Sequence, residues 1–204
     1  MIISHRKKFA FFCNQRTGSK AVGIVLRFCG VFDENDILIA QPFPATRTAR
    51  IEIPSYNLDG CKSNATHMSP QKAIDAGFIT LEQLREYDCY AFLRNPRDRF
   101  MAIRASMQVN RNGIFAKPDT VVAGVGTPQH EFFFVGGEQV VTPLDFAEYE
   151  AGLKMMIEKL GGYQHMDIPS IVKEPKPYMP RKVTYDPRDH IEEEIMYRRM
   201  KNEN

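Results

Sequence analysis

The sequence lacks the patterns that mark membrane, secreted and zinc-binding chains. Nowhere do about eighteen apolar residues follow one another, so no membrane-spanning helix is predicted. The N-terminus carries no signal-peptide pattern, because the apolar run Phe9–Cys13 is too short for the hydrophobic region of a signal. The four cysteines lie far apart and form no CxxC pair, which argues against zinc. From these absences we expect a cytoplasmic protein with reduced cysteines and no membrane partner.

Net charge is also small, with 27 Lys and Arg residues against 25 Asp and Glu residues, or +2 in total. Anion binding must therefore come from local clusters of Arg and Lys rather than from the overall field of the protein. We expect no nucleic-acid partner, because no basic and aromatic pattern of a known module is present. A length of 204 residues is enough for one core, and we predict a single domain over residues 1–204.

Apolar strand patterns alternate with helical patterns along the chain. Buried strands are predicted at Lys8–Cys13 and Tyr87–Leu93. Helices are predicted at Gly18–Phe28, Pro70–Ala76, Thr80–Arg85, Arg97–Val109, Pro143–Leu160 and Pro187–Met200. Phe132–Val135 and Gln139–Val141 flank a Gly-Gly pair and indicate a hairpin, and Ile37–Ala40 and Ile51–Ile53 indicate one or two short strands. The alternation predicts an α/β fold with a mainly parallel central sheet flanked by helices.

The first predicted strand runs into the polar stretch Asn14-Gln15-Arg16-Thr17-Gly18-Ser19-Lys20 before the first helix. A strand that turns into a helix directs backbone N–H groups and the positive end of the helix dipole at one point. Gly18 allows close approach, two hydroxyls offer donors, and Arg16 and Lys20 offer charge. The stretch is not a nucleotide P-loop, because the upstream glycine is missing and the order is Gly-Ser-Lys. It indicates an anion site, and a solvated polar turn is the alternative.

The second predicted strand ends in Arg94-Asn95-Pro96-Arg97-Asp98-Arg99, with Pro96 placed for the first turn of a helix. Three arginines lie within six residues, and Asp98 can neutralise only one of them. A salt-bridged helix start is the alternative interpretation. Two cationic strand-to-helix turns in one α/β domain would suit a ligand with two separated anionic groups.

Together the two stretches resemble the PAPS-dependent sulfotransferases, whose sulfuryl donor is 3′-phosphoadenosine 5′-phosphosulfate (PAPS). In that family an early strand–loop–helix with a basic residue, a hydroxyl residue, glycine and two more hydroxyl residues binds the 5′-phosphosulfate. Arg16-Thr17-Gly18-Ser19 matches this motif, and Lys20 stands where the second hydroxyl is usual. A later R-N-P-x-D-R-x-x-S binds the 3′-phosphate; Arg94–Arg99 matches it, whereas Ala102 replaces the serine.

Other parts of the chain follow the carbohydrate branch of that family less specifically. Thr66–Pro70 precedes a short helix and the second strand, as in that branch. Leu144–Gly161 resembles a later helix and its glycine turn, and Tyr178–Arg199 resembles the closing segment, although the usual Asp after Arg199 is absent. The resemblance implies a compact bacterial or viral enzyme with a P-loop-like three-layer fold.

The resemblance also implies roles for individual residues. Arg16 would contact the bridging and leaving oxygens, and Thr17, Gly18, Ser19 and Lys20 would hold the phosphosulfate. Arg94 would bind the 3′-phosphate, and Ser106, one helical turn beyond Ala102, is a candidate to replace the missing serine. PAPS would be the donor and 3′-phosphoadenosine 5′-phosphate the product, with no metal.

An acceptor hydroxyl needs a general base, and histidine is the usual one near neutral pH. The candidates are His5, His67, His130, His165 and His190. We choose His67, because it occupies the position that resembles the family's histidine before the second strand. His130 is the second choice, and Glu131 stays open.

The acceptor would be a carbohydrate or another small molecule. Loops over residues 33–66 and 110–130 would shape the pocket that binds it. Two other functions stay open. One is a P-loop-type nucleotide kinase or hydrolase, which the missing Gly-Lys-Ser order and the lack of an obvious metal-holding acidic strand end disfavour. The other is a non-catalytic nucleotide-binding protein, which the departures at Lys20 and Ala102 would allow.

Overall fold

The structure, a computed structural model, describes residues 1–28, 37–38, 57–58, 61–62, 67–108, 127–162 and 191–201. For residues 20, 24, 27–28, 37–38, 57–58, 61–62 and 104–108 it describes the backbone alone. The predicted strand patch Ile51–Ile53, the start of the last predicted helix, and most of the two loops expected to shape an acceptor pocket lie outside the described residues.

Short strands and α-helices alternate over the described ranges. The strands are β1 (Ile2–Ser4), β2 (Phe9–Phe11), β3 (Ile37–Leu38), β4 (Asn57–Leu58), β5 (Cys61–Lys62), β6 (Asp88–Leu93), β7 (Phe134–Val135), β8 (Glu138–Gln139) and β9 (Thr142–Asp145). The α-helices are α1 (Ser19–Phe28), α2 (Pro70–Asp75), α3 (Leu81–Glu86), α4 (Pro96–Gln108), α5 (Tyr149–Lys159) and α6 (Ile191–Met200). Two 3₁₀ turns cover Gln129–Phe132 and Phe146–Glu148.

The central sheet has the strand order β3-β1-β2-β6-β9. β2, β6 and β9 are parallel, with Phe11 opposite Tyr90 and Phe92 opposite Leu144. β1 is antiparallel to both β2 and β3, so it alone runs against the other strands of this sheet. The fold is therefore mixed α/β with a mostly parallel sheet, as the alternation predicts. The hairpin strand β1 was missed, because its apolar part is only three residues long.

Side chains alternate across the sheet and divide the core into two layers. Phe9, Phe11 and Phe92 face α1 and α5 on one side. Phe12 and Leu93 face α2, α3 and the Gln129–Phe132 turn on the other side. The four phenylalanines are fully buried, and each stabilises the fold by about 1.5–3 kcal/mol relative to an exposed ring. Helices on both faces explain why β2 and β6 read as nearly continuous apolar runs.

Most predicted elements are confirmed with small shifts of their ends. The expected cap Thr80 accepts a hydrogen bond from Gln83 N, and the Gln83 side chain accepts one from Thr80 N, which completes a capping box. No helix in the described ranges is long and apolar enough to cross a membrane.

Two predicted elements are wrong in part. The predicted helix Pro143–Leu160 contains β9, then a 3₁₀ turn, and becomes α-helical only at Tyr149. β9 is an edge strand of the sheet, where a proline such as Pro143 is tolerated because no neighbour needs its missing N–H. The predicted hairpin is shorter than expected, because Phe132 ends the preceding 3₁₀ turn.

Candidate functional site

The first candidate turn joins β2 to α1 and has two residues in left-handed backbone conformations. Arg16 has φ of +63° and Gly18 has φ of +72°. At Gly18 a Cβ atom would lie 2.8 Å from the ring of Tyr149, so both the backbone and the space require glycine. The Tyr149 hydroxyl donates to Gly18 O at 2.8 Å. Burial raises the pKa of Tyr149, so the hydroxyl keeps the proton that it donates.

Both hydroxyls of this turn stabilise its shape. Thr17 Oγ1 and Ser19 Oγ each donate to Asn14 O at 2.8 Å. Thr17 is fully buried, so its side chain does not face a ligand. An anion bound at this turn would instead meet the exposed Arg16 side chain and the first N–H groups of α1.

The second candidate turn joins β6 to α4 and lies beside the first, because β2 and β6 are neighbouring parallel strands. Arg94 Nη1 donates to Arg16 O at 2.8 Å. The guanidinium of Arg94 also lies 4.7 Å from the centre of the Phe146 ring. Burial lowers the pKa of Arg94; Asp98 opposes this, while the neighbouring charges of Arg16 and Arg99 lower it further. The two turns thus form one cationic site at the carboxyl edge of the sheet.

The guanidinium of Arg99, in the second turn, is bound by other groups of the protein. Its side chain is almost fully buried and donates to Gln15 O at 3.2 Å, to Thr127 O at 2.9 Å and to Glu193 Oε1 at 3.0 Å. Burial lowers the pKa of Arg99, and the Glu193 carboxylate of α6 opposes that shift. Arg99 is therefore neutralised by a residue 94 positions away rather than by Asp98.

A buried pair of amide side chains, which the sequence interpretation missed, connects the two turns. Asn14 Nδ2 donates to Phe92 O at 3.1 Å and to Gln129 Oε1 at 3.0 Å. Gln129 Oε1 also accepts from Arg94 N at 3.0 Å, and Gln129 Nε2 donates to Arg94 O at 2.7 Å. Asn14 and Gln129 are both fully buried. An amide at the end of a buried strand was the only local signal for Asn14; Gln129 had none.

His67 lies at the first turn. Its Nδ1 is 2.7 Å from Cys13 O. Because a carbonyl oxygen only accepts, Nδ1 must carry the hydrogen, and Nε2 is then the nitrogen that can take up a proton.

The other candidate bases lie elsewhere. His5 is in the β1–β2 turn, at the opposite edge of the sheet, and bonds to the Tyr87 hydroxyl at 2.9 Å. His130 and Glu131 lie in the 3₁₀ turn and line a cavity of about 590 Å³ together with Met196, Arg199 and other residues. Within the described ranges, His130 Nδ1 is buried without a hydrogen-bond partner. His165 and His190 lie outside the described residues.

Two further candidates are described by their backbone alone. Lys20 lies in the first turn of α1 and Ser106 in α4, but their side chains are outside the described part. One acidic residue, Asp145, ends β9. Its carboxylate accepts from Lys201 Nζ and from Ala147 N, so both partners come from the protein itself.

Over the described ranges, no three His, Cys, Asp or Glu residues are grouped as a metal site would require. No protein-family model, no curated protein and no solved structure matches this chain. Function must therefore be inferred from the chemistry of the two turns.

Proposed function

We propose that this protein is a sulfotransferase that uses PAPS as donor and an acceptor hydroxyl of a carbohydrate or another small molecule. We also propose that its helix–sheet–helix arrangement is P-loop-like. The observation that carries the proposal is the 2.8 Å contact from Arg94 Nη1 to Arg16 O, because it joins the two anion turns that the resemblance pairs. A nucleotide with phosphate groups at both ends of its ribose has two anionic groups for such a pair of turns.

The residues divide the proposed chemistry between them. Arg16 and the backbone N–H groups at the start of α1 would hold the 5′-phosphosulfate, and Arg94 would hold the 3′-phosphate. The acceptor oxygen forms a bond to sulfur while the bond from sulfur to the bridging oxygen breaks. The electron pair of the broken bond goes to the 5′-phosphate, and the acceptor proton goes to His67 Nε2. The protein mainly positions the groups and stabilises the negative charge.

Calorimetry with adenosine 3′,5′-bisphosphate, which is another name for the product 3′-phosphoadenosine 5′-phosphate, tests the nucleotide site. We expect binding that Arg94→Ala weakens about tenfold or more, because a charge-assisted hydrogen bond contributes about 1.5–3 kcal/mol. The matched control is Arg97→Ala, since Arg97 lies in the same turn but is exposed. No binding to wild type, or equal losses in both variants, contradicts the proposal.

A transfer assay with PAPS and a panel of glycans, lipids and small alcohols tests the reaction. We expect sulfate transfer to at least one acceptor, and slower turnover in His67→Ala at saturating donor. Tight nucleotide binding without transfer would favour the non-catalytic alternative. Binding of ATP–Mg²⁺ without binding of adenosine 3′,5′-bisphosphate would favour the kinase or hydrolase.

A further inference from the structure

Gln129 is a fully buried polar residue at the point where β6 leaves the sheet. β9 pairs with β6 as far as Leu93 and Asp145, so Arg94 is the first residue beyond the ladder. The side-chain amide of Gln129 contacts both backbone groups of Arg94, accepting from N at 3.0 Å and donating from Nε2 to O at 2.7 Å. This amide fork supplies the two hydrogen bonds that a neighbouring strand would have supplied.

Asn14 likewise extends the hydrogen bonding of β6, on the side that faces β2 rather than β9. Phe12 follows the end of β2, and its N donates to Tyr90 O of β6 at 2.9 Å. In the described residues this is the last backbone hydrogen bond between the two segments before they separate. Beyond it, Asn14 Nδ2 takes over by donating to Phe92 O and Gln129 Oε1. Two side-chain amides thus continue the ladder where the two chains diverge into their turns.

One acceptor of this amide pair carries a free-energy penalty. Asn14 Oδ1 is buried and, in the described part of the chain, has no hydrogen-bond partner. An unsatisfied buried acceptor costs about 1–3 kcal/mol. An apolar residue at position 14 would remove that cost but would leave Gln129 and Phe92 without the Asn14 donor. The Asn14–Gln129 pair therefore fixes the relative position of the two turns at a cost in the free energy of unfolding.

We infer that Gln129 is a positioning residue that sets the spacing between the two anion turns and so selects a ligand with two anionic groups. The inference rests on the proposed function for the identity of that ligand. Gln129 itself contacts the backbone of Arg94 and the side chain of Asn14, and it acts through them. Because Asn14 O in turn accepts from Thr17 and Ser19, the chain of contacts reaches from one turn to the other.

The test compares a ligand that spans both turns with one that needs a single turn. Gln129→Met keeps the length of the side chain but removes every hydrogen bond of the amide. We expect its affinity for adenosine 3′,5′-bisphosphate to fall about tenfold or more, and its affinity for adenosine 5′-monophosphate less than about threefold. The control is Gln139→Met, because Gln139 is exposed in β8 and should leave both affinities unchanged. Equal losses for both nucleotides, or none for either, overturn the inference.

Amide hydrogen exchange measured by NMR separates this inference from the proposed function. In Gln129→Met the Arg94 amide should exchange about tenfold faster, because it loses its acceptor, while amides of the β7–β8 hairpin keep their rates. If the wild-type protein binds neither nucleotide, the proposed function is wrong. If exchange of the Arg94 amide is unchanged in Gln129→Met, the positioning role of Gln129 is wrong, whatever the nucleotides do. If Gln129→Met does not fold, Gln129→Asn replaces it, since the shorter amide cannot reach both groups of Arg94.

Discussion

Arg16 combines a strained backbone with an exposed charge at the end of a buried strand. A non-glycine residue in the left-handed region loses about 1–2 kcal/mol relative to the right-handed one. The hydrogen bond from Arg94 to Arg16 O and the hydroxyl bonds to Asn14 O hold the turn in this conformation. Strain of this kind is typical of functional sites, where the surrounding contacts determine the conformation.

Glycine at position 16 separates the backbone role from the role of the charge. Arg16→Gly should leave the free energy of unfolding within about 1 kcal/mol of wild type, because glycine accepts positive φ. Its affinity for adenosine 3′,5′-bisphosphate should fall about tenfold or more through loss of the guanidinium. Urea unfolding and calorimetry measure the two effects.

Lys8→Gly is the matched control for that experiment. Lys8 also has positive φ, at +48°, but it lies in the β1–β2 turn at the opposite edge of the sheet. It should tolerate glycine equally well and keep full nucleotide affinity. If Lys8→Gly weakened binding as much as Arg16→Gly, the assignment of Arg16 would be wrong.

Gly18 is required for two reasons that a pair of variants can separate. Gly18→Ala introduces both a strained φ and a Cβ atom 2.8 Å from the Tyr149 ring. Gly77→Ala introduces a similar strain, with φ of +74°, but its Cβ would meet nothing within 4 Å. We expect Gly77→Ala to lose about 1–2 kcal/mol and Gly18→Ala about 1–3 kcal/mol more, from urea unfolding. Equal losses in the free energy of unfolding would show that the Tyr149 ring moves away from the new Cβ atom without a measurable cost.

At the scale of elements, one buried ion pair attaches α6 to the site. Glu193→Gln leaves the buried Arg99 guanidinium without its counter-charge, so we expect a loss of about 3 kcal/mol in the free energy of unfolding. Glu194→Gln, at the next position of α6, removes a more exposed pair with Arg198 and should change stability by less than about 0.5 kcal/mol. Chemical denaturation of both variants measures the difference. A small effect of Glu193→Gln would mean that α6 is held by its apolar contacts alone.

Strands and helices of the site could be predicted where local pattern decides, as at β2, α1, β6 and α4. β9 could not, because the residues after Pro143 have apolar side chains at helical spacing, and only pairing with β6 makes Thr142–Asp145 extended. Of the site, the two turns could be predicted from their residue types. Gln129 could not, because it reaches Asn14 across 115 positions and its position depends on the whole fold.

At the scale of the molecule, the contacts of Arg99, Gln129 and Arg94 join distant parts of the chain into one unit. Arg99 connects the first turn, residue 127 and α6, and Gln129 connects the first and second turns. A ligand that binds both turns should therefore stabilise segments that are separate in sequence, because local opening of any one exposes contacts of the others.

Hydrogen exchange with mass spectrometry tests this coupling. Saturating adenosine 3′,5′-bisphosphate should slow exchange over residues 12–19, 93–99 and 127–132, and also over α6, whose Glu193 is paired with Arg99. The β1–β2 turn is the internal control, because it lies at the opposite edge of the sheet and should exchange at its original rate. The Glu193→Gln variant should lose the protection of α6 while keeping that of the two turns, since its link to Arg99 is weakened. Protection confined to a single turn would instead mean that the turns bind anions independently, and the coupling would be excluded.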